Sequence, residues 1–164
     1  MTSSDNPGYG GNDAANISAG RSAQAFNQAN SQYGFDSKED RINAAALLNF
    51  FGITDEWCCT AKDQMVLLGA PSKSSFYRMK EFVDGKTEKP PKLSRDALER
   101  ISYIMGIFKA LNILLPSERR AAEWVRKENS HPLFSGRSAL DVMLQGRVID
   151  LADIRRYLDA ERGL

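Results

Sequence analysis

The sequence predicts an all-α fold, and three observations carry that reading. After Lys38, apolar residues recur every three or four positions through most of the chain, the spacing of one helical face. Serine or threonine stands just before several of these stretches, where a helix start needs a side-chain acceptor for its unpaired N–H groups. No stretch alternates apolar and polar residues over strand length.

Taken in order, residues 1–37 are a different material from the rest. They are rich in Ser, Asn, Gly, Gln and Ala, and they hold too little apolar surface to offset the entropy of ordering. A disordered tail is therefore expected, with residues 23–30 able to become helical against a partner. From Lys38, a stripe of Ile42, Ala46, Phe50, Ile53 and Trp57 predicts a first helix, weakened but not broken by Gly52 and Thr54. Thr60 with Asp63 forms a capping-box pattern ahead of "AKDQMVLL", which Gly69 ends. After Pro71, Ser72 is placed to cap a helix from Lys73 to about Val83, and the prolines of "DGKTEKPPK" stop it.

Ser94 opens the longest apolar helix, with Leu98, Ile101, Met105, Phe108, Leu111 and Leu115 in one stripe. Ala97, Ile104, Ile107 and Leu114 widen it, as expected of the buried spine of a helical domain. Pro116 ends this helix and Ser117 caps "ERRAAEWVRKE". The loop "NSHPLFSGRS" leads to a short helix, "ALDVMLQ", closed by Gly146. Asp150 is expected to cap "LADIRRYLDAER".

Composition narrows the function. The net charge is +1 with a pI near 7.7, so any contact with nucleic acid must come from a local patch. Cys58 and Cys59 are adjacent, a spacing that cannot be bridged without unusual strain, and with one histidine they make no convincing zinc site. No metal or cofactor is expected. The chain reads as reduced and cytoplasmic: no apolar run approaches the roughly 20 residues of a membrane span, and the N-terminus lacks a signal-peptide pattern. His131 has no nucleophile or carboxylate at a useful spacing, so no catalytic role is assigned to it. Trp57 and Trp124 read as core, and the two cysteines as inert packing residues.

One corner, "LLGAPSKSSFYRMKEF", has the parts of a helix-turn-helix. Met65 and Leu68 offer an inner face, Gly69 a turn, and Phe76 and Met79 anchors for the second helix. Lys73, Ser74, Tyr77, Arg78 and Lys80 are left to face outward, where they could meet phosphates or base edges. Between Lys62 and Arg100, nine basic and six acidic residues leave a local +3. Alone, the corner fits a DNA reader as well as two helices packed at an angle.

Three stretches, "LLGAPSKSSFYRMK", "LSRDALERISYIMGIFKAL" and "AAEWVRKENSHPLFSGRSALDVMLQGRVIDLADIRRYLDA", resemble antitoxins of the Xre/ParS/MbcA type. The resemblance runs from about Asp40 to the C-terminus. Its most specific part is a cadence of Trp124, then Phe134, Gly136, Ser138 and Leu140, then Gly146, then Arg155, Tyr157 and Leu158. Ala139 stands where the family usually has proline, which leaves the start of the short helix less rigidly fixed. The corner also carries one more residue between its glycine and its apolar anchor than is common.

The resemblance implies an Xre-like helix-turn-helix half over residues 38–115, packed with a small helical toxin-binding domain over 116–164. It implies a non-enzymatic type II antitoxin that covers the active site of a cognate NAD-consuming RES-domain toxin. Binding of the operon's own promoter is implied as well, as a homodimer within a toxin–antitoxin hetero-oligomer. The alternative is a stand-alone helix-turn-helix regulator without a toxin. Phe134, Arg137, Leu140, Met143, Arg155, Arg156, Tyr157 and Arg162 are the expected toxin-binding residues. Arg155, Arg156 and Arg162 could then reach into a site built for an anionic dinucleotide or pair with the toxin's carboxylates.

Overall fold

The computed structural model describes Phe35 and residues 37–164, and the tail expected over residues 1–37 lies otherwise outside the described residues. Seven helices and no strand are found among them. In chain order they are α1 Lys38–Glu56, α2 Ala61–Leu67, α3 Lys73–Val83, α4 Arg95–Leu114, α5 Glu118–Arg126, α6 Ala139–Met143 and α7 Val148–Glu161. No helix among the described residues is long and apolar enough to cross a membrane.

The local start signals act as the sequence suggests. Thr60 and Asp63 form a reciprocal capping box at α2, and the hydroxyls of Ser72, Ser94 and Ser117 accept from backbone N–H groups of α3, α4 and α5. Two residues of the expected tail take part in the fold. Ser37 caps α1, and Phe35 packs against Phe82 with ring centroids 6.4 Å apart. Asp150 is a correction: α7 starts at Val148, behind Arg147, and its cap makes no side-chain hydrogen bond. Asp150 lies inside the first turn, buried, and accepts from Arg147 Nε and Nη2 at 3.0 and 2.7 Å. A carboxylate there still favours the positive end of the helix.

Helix α4 is the spine, packed chiefly against α7 on one side and α1 on another. Its buried line is Ala97, Ile101, Ile104, Ile107 and Leu111, and the expected member Met105 is 36% exposed. The difference has a physical reason. Apolar residues cover so much of α4 that periodicity alone leaves the inward arc undecided, and the neighbouring helices decide it. Leu47, Phe50 and Phe51 of α1 and Trp57 just after it are buried, while Ile42 is 47% exposed. Thr54, a weak helix former, satisfies its hydroxyl on the Phe50 carbonyl and accepts from Gln64, which also donates to Asp55. That buried polar chain ties α2 to α1.

The two halves of the chain are stitched together over long sequence distances. Arg126, at the end of α5, donates through Nε to the Trp57 carbonyl at 2.7 Å and through Nη2 to the Cys58 carbonyl. These carbonyls lie just past the end of α1, where no further helical N–H reaches them. Beside them Cys59 is half-buried, and burial, followed by the charge of Asp63, pushes its thiol up to about 11. Cys58 is exposed at φ +55° and so is not the packing residue expected.

Candidate functional site

The corner between α2 and α3 is closed by backbone chemistry. The N–H of Gly69 donates to Val66 and that of Ala70 to Met65, the paired bonds of a Schellman motif. Gly69 (φ +86°) and Ala70 (φ +56°) are both left-handed, so the extra residue extends the turn by a second left-handed step. A Cβ on Gly69 would lie 2.6 Å from Asp96 Oδ2 and 2.9 Å from Arg100 Nε. Glycine is therefore required by both the turn and its packing.

On α3, Phe76, Met79 and Phe82 face inward, and Phe76 meets Phe51 of α1 at 5.8 Å. Lys73, Ser74, Tyr77 and Arg78 are exposed, and their helical spacing puts them on one outer face. Tyr77 is 58% exposed. Lys80 is a correction: it is half-buried, with its ammonium 5.2 Å from the centroid of Phe51. Its place in the helical cycle is at the edge of the buried arc. The Ser74 hydroxyl shares a 3.2 Å hydrogen bond with Ser72. Glu81, which no sequence pattern singles out, joins the outer face and adds one negative charge to it.

Arg100 joins this corner to the C-terminal half. Its guanidinium is nearly buried, donates through Nε to Asp96 at 2.8 Å and through Nη1 to the Gly146 carbonyl at 2.9 Å. Val66 of α2 lies 3.5 Å from where a Cβ on Gly146 would stand. The only sequence signal for Arg100 is its spacing of four from Asp96 within an apolar helix.

The loop after α5 folds back on itself. Asn129 and Arg137 face each other through an N–H···O bond of 3.1 Å, and Gly136 donates to Asn129 at 2.9 Å. Ser135 and Gly136 are both left-handed, which turns the chain tightly enough to bury Phe134. Ser138 and Asp141 then form a capping box at α6. With Ala139 itself buried, that box fixes the start of the helix without proline.

Phe134 holds this loop down. It lies edge-on to Trp124 at 5.8 Å and to Tyr157 at 5.3 Å, and His131 packs on Tyr157 at 4.6 Å. Phe134, Leu140 and Met143, expected as contact residues, are instead core: none is more than 4% exposed. Their apolar character serves packing beneath the surface. Arg137 is exposed beside the Phe134 carbonyl, and Tyr157 is half-exposed. Partial burial, followed by the charge of Glu161, raises the Tyr157 phenol above its ordinary range.

The remaining arginines lie elsewhere on α7. Arg155 donates to Asp159 at 2.8 Å, and Arg162 stands 3.6 Å from the other oxygen of the same carboxylate. Arg156 is exposed and pairs with Asp153 at 3.0 Å. Tyr157 is two residues from Arg155, about 200° round the helix, so the two occupy opposite flanks of the buried stripe. The structure thus gathers His131 and Tyr157 around Phe134, with Arg137 on the same loop donating to the Phe134 carbonyl, while Arg155 and Arg162 are paired with Asp159. Among the described residues, no cluster of histidine, cysteine and carboxylate could hold a metal ion.

The family model described as the antitoxin Xre/MbcA/ParS C-terminal toxin-binding domain matches residues 110–163, from the end of α4 through α7. The chain is also 48% identical over 119 residues to the uncharacterized protein y4oB of Sinorhizobium fredii (strain NBRC 101917 / NGR234), covering 73% of this chain and 85% of that one. No solved structure matches.

Proposed function

Because residues 110–163 match the antitoxin Xre/MbcA/ParS C-terminal toxin-binding domain, we propose that the chain silences a NAD-consuming RES-domain toxin by covering the toxin's active site. The observation that carries this reading is the cluster of His131 and Tyr157 over a buried Phe134, with the exposed Arg137 on the same loop. Accessible aromatic and guanidinium groups on a rigid base are the residue types that dominate protein–protein hot spots. Arg137 makes no ion pair among the described residues, so it is the cation best placed to meet a toxin carboxylate. Arg155 and Arg162, committed to Asp159, contribute less. The protein acts by occlusion and performs no chemistry of its own.

A second role, binding of its own promoter, is supported by the exposed face of α3. Lys73 and Arg78 would neutralise phosphates, with Tyr77 between them near base edges. A homodimer would present two such helices to a palindromic site. The same face also favours the runner-up, a regulator that works without a toxin. Co-expression with the adjacent gene separates the two. Co-purification of a RES-type partner supports the antitoxin reading, and independent elution of both proteins removes it.

A further inference from the structure

Between α1 and α4 runs an open groove of about 720 Å³. Ile42, Ala45 and Asn49 line it from α1, and Leu98, Met105 and Phe108 from α4. Ile42 and Met105 leave large apolar surfaces in water there. The charged residues of the lining are Lys109 and Arg155; no carboxylate is among them. Lys109 makes no ion pair among the described residues, while Arg155 uses Nε for Asp159 and rests its guanidinium on Gly106. A side chain at position 106 would occupy the space of that guanidinium, so the glycine lets the cation reach the groove.

We propose that this groove docks an acidic amphipathic helix of a partner protein. Two adjacent helices with an apolar trough between them can accept a third, read through apolar anchors spaced three or four residues apart. Lys109, which no carboxylate among the described residues pairs, selects the charge of the occupant: acidic side chains flanking the anchors would answer it, with Arg155, whose Nε is held by Asp159, in the lesser part. A second copy of the chain fits less well, since its matching groove brings cations and no carboxylates from the lining. The proposal is independent of the toxin reading. Apart from Arg155, the lining falls before residue 110, outside the matched toxin-binding domain.

The test is selection of helical peptides from a displayed random library on the full-length protein, followed by fluorescence anisotropy with a selected peptide. Selected sequences should carry apolar residues at helical spacing flanked by Asp or Glu. Met105→Asp should weaken binding by about tenfold or more, as loss of a groove anchor does. Lys109→Glu, on an exposed position, should also weaken it, and a peptide with its acidic residues changed to lysine should regain affinity for that variant. Enrichment of basic or non-periodic peptides would overturn the proposal, as would binding indifferent to both variants. Sedimentation showing a dimer that Met105→Asp dissociates would also overturn it, assigning the groove to self-association.

Discussion

The Nη1 of Arg100 donates to the carbonyl oxygen of Gly146 at 2.9 Å across 46 residues of sequence, linking the corner that carries α3 to the turn before α7. The same guanidinium blocks any side chain at Gly69. One residue therefore fixes both the corner and its seat on the toxin-binding domain.

Replacing it should cost stability in both halves at once. Arg100→Met keeps much of the volume but leaves the Gly146 carbonyl without this donor, a loss of about 2 kcal/mol. Urea unfolding followed by circular dichroism measures it. A single cooperative transition with a lowered midpoint is expected, and an unchanged midpoint would show that the link contributes nothing.

Gly106 gives a prediction with a sign. Alanine in a helix interior normally gains about 0.5–1 kcal/mol over glycine. Here the added methyl displaces the Arg155 guanidinium, so Gly106→Ala should gain less than that or lose stability. In an Arg155→Ala background the full gain should return. Thermal unfolding of the four proteins in this cycle reads the coupling, and equal effects in both backgrounds would refute it.

The two thiols should differ sharply. With its pKa near 11, Cys59 is almost wholly protonated at pH 8, whereas Cys58 is exposed. Mass spectrometry after brief alkylation at that pH should find the label on Cys58. Labelling of Cys59 should rise only as the pH approaches 11.

For promoter binding, Lys73→Ala with Arg78→Ala should weaken a gel shift and lower the salt slope by about one for each phosphate no longer neutralised. Lys80→Ala, whose ammonium sits over Phe51, should change it little. Unchanged binding in the double variant would dismiss α3 as the reader.

The contrast between Lys80 and Lys73 also shows how much can be read from the sequence. Caps and stops are legible because they are local: Thr60 with Asp63, Ser72, Ser94 and Ser117 each act within their own first turn. Asp150 misleads because an acid inside a first turn has the same sequence signature as the cap of a helix that starts just after it. Phe134, Leu140 and Met143 sit in the expected domain but beneath its surface, since an apolar residue in a loop or short helix does not announce which way it faces. Arg100 and Arg126 are illegible as connectors. Their acceptors are backbone carbonyls far along the chain, and only the packed fold brings them close.

On the proposed reading, the C-terminal domain silences a toxin through the surface around Tyr157. The direct measurement is NAD consumption by the purified product of the neighbouring gene, titrated with this protein. Wild-type chain should abolish turnover near stoichiometric amounts. Arg137→Ala with Tyr157→Ala should require about tenfold more or greater, as expected when hot-spot side chains are truncated, while Arg155→Ala should behave almost as wild type. Undiminished NAD consumption in the presence of excess wild-type protein would mean that the chain does not silence this toxin.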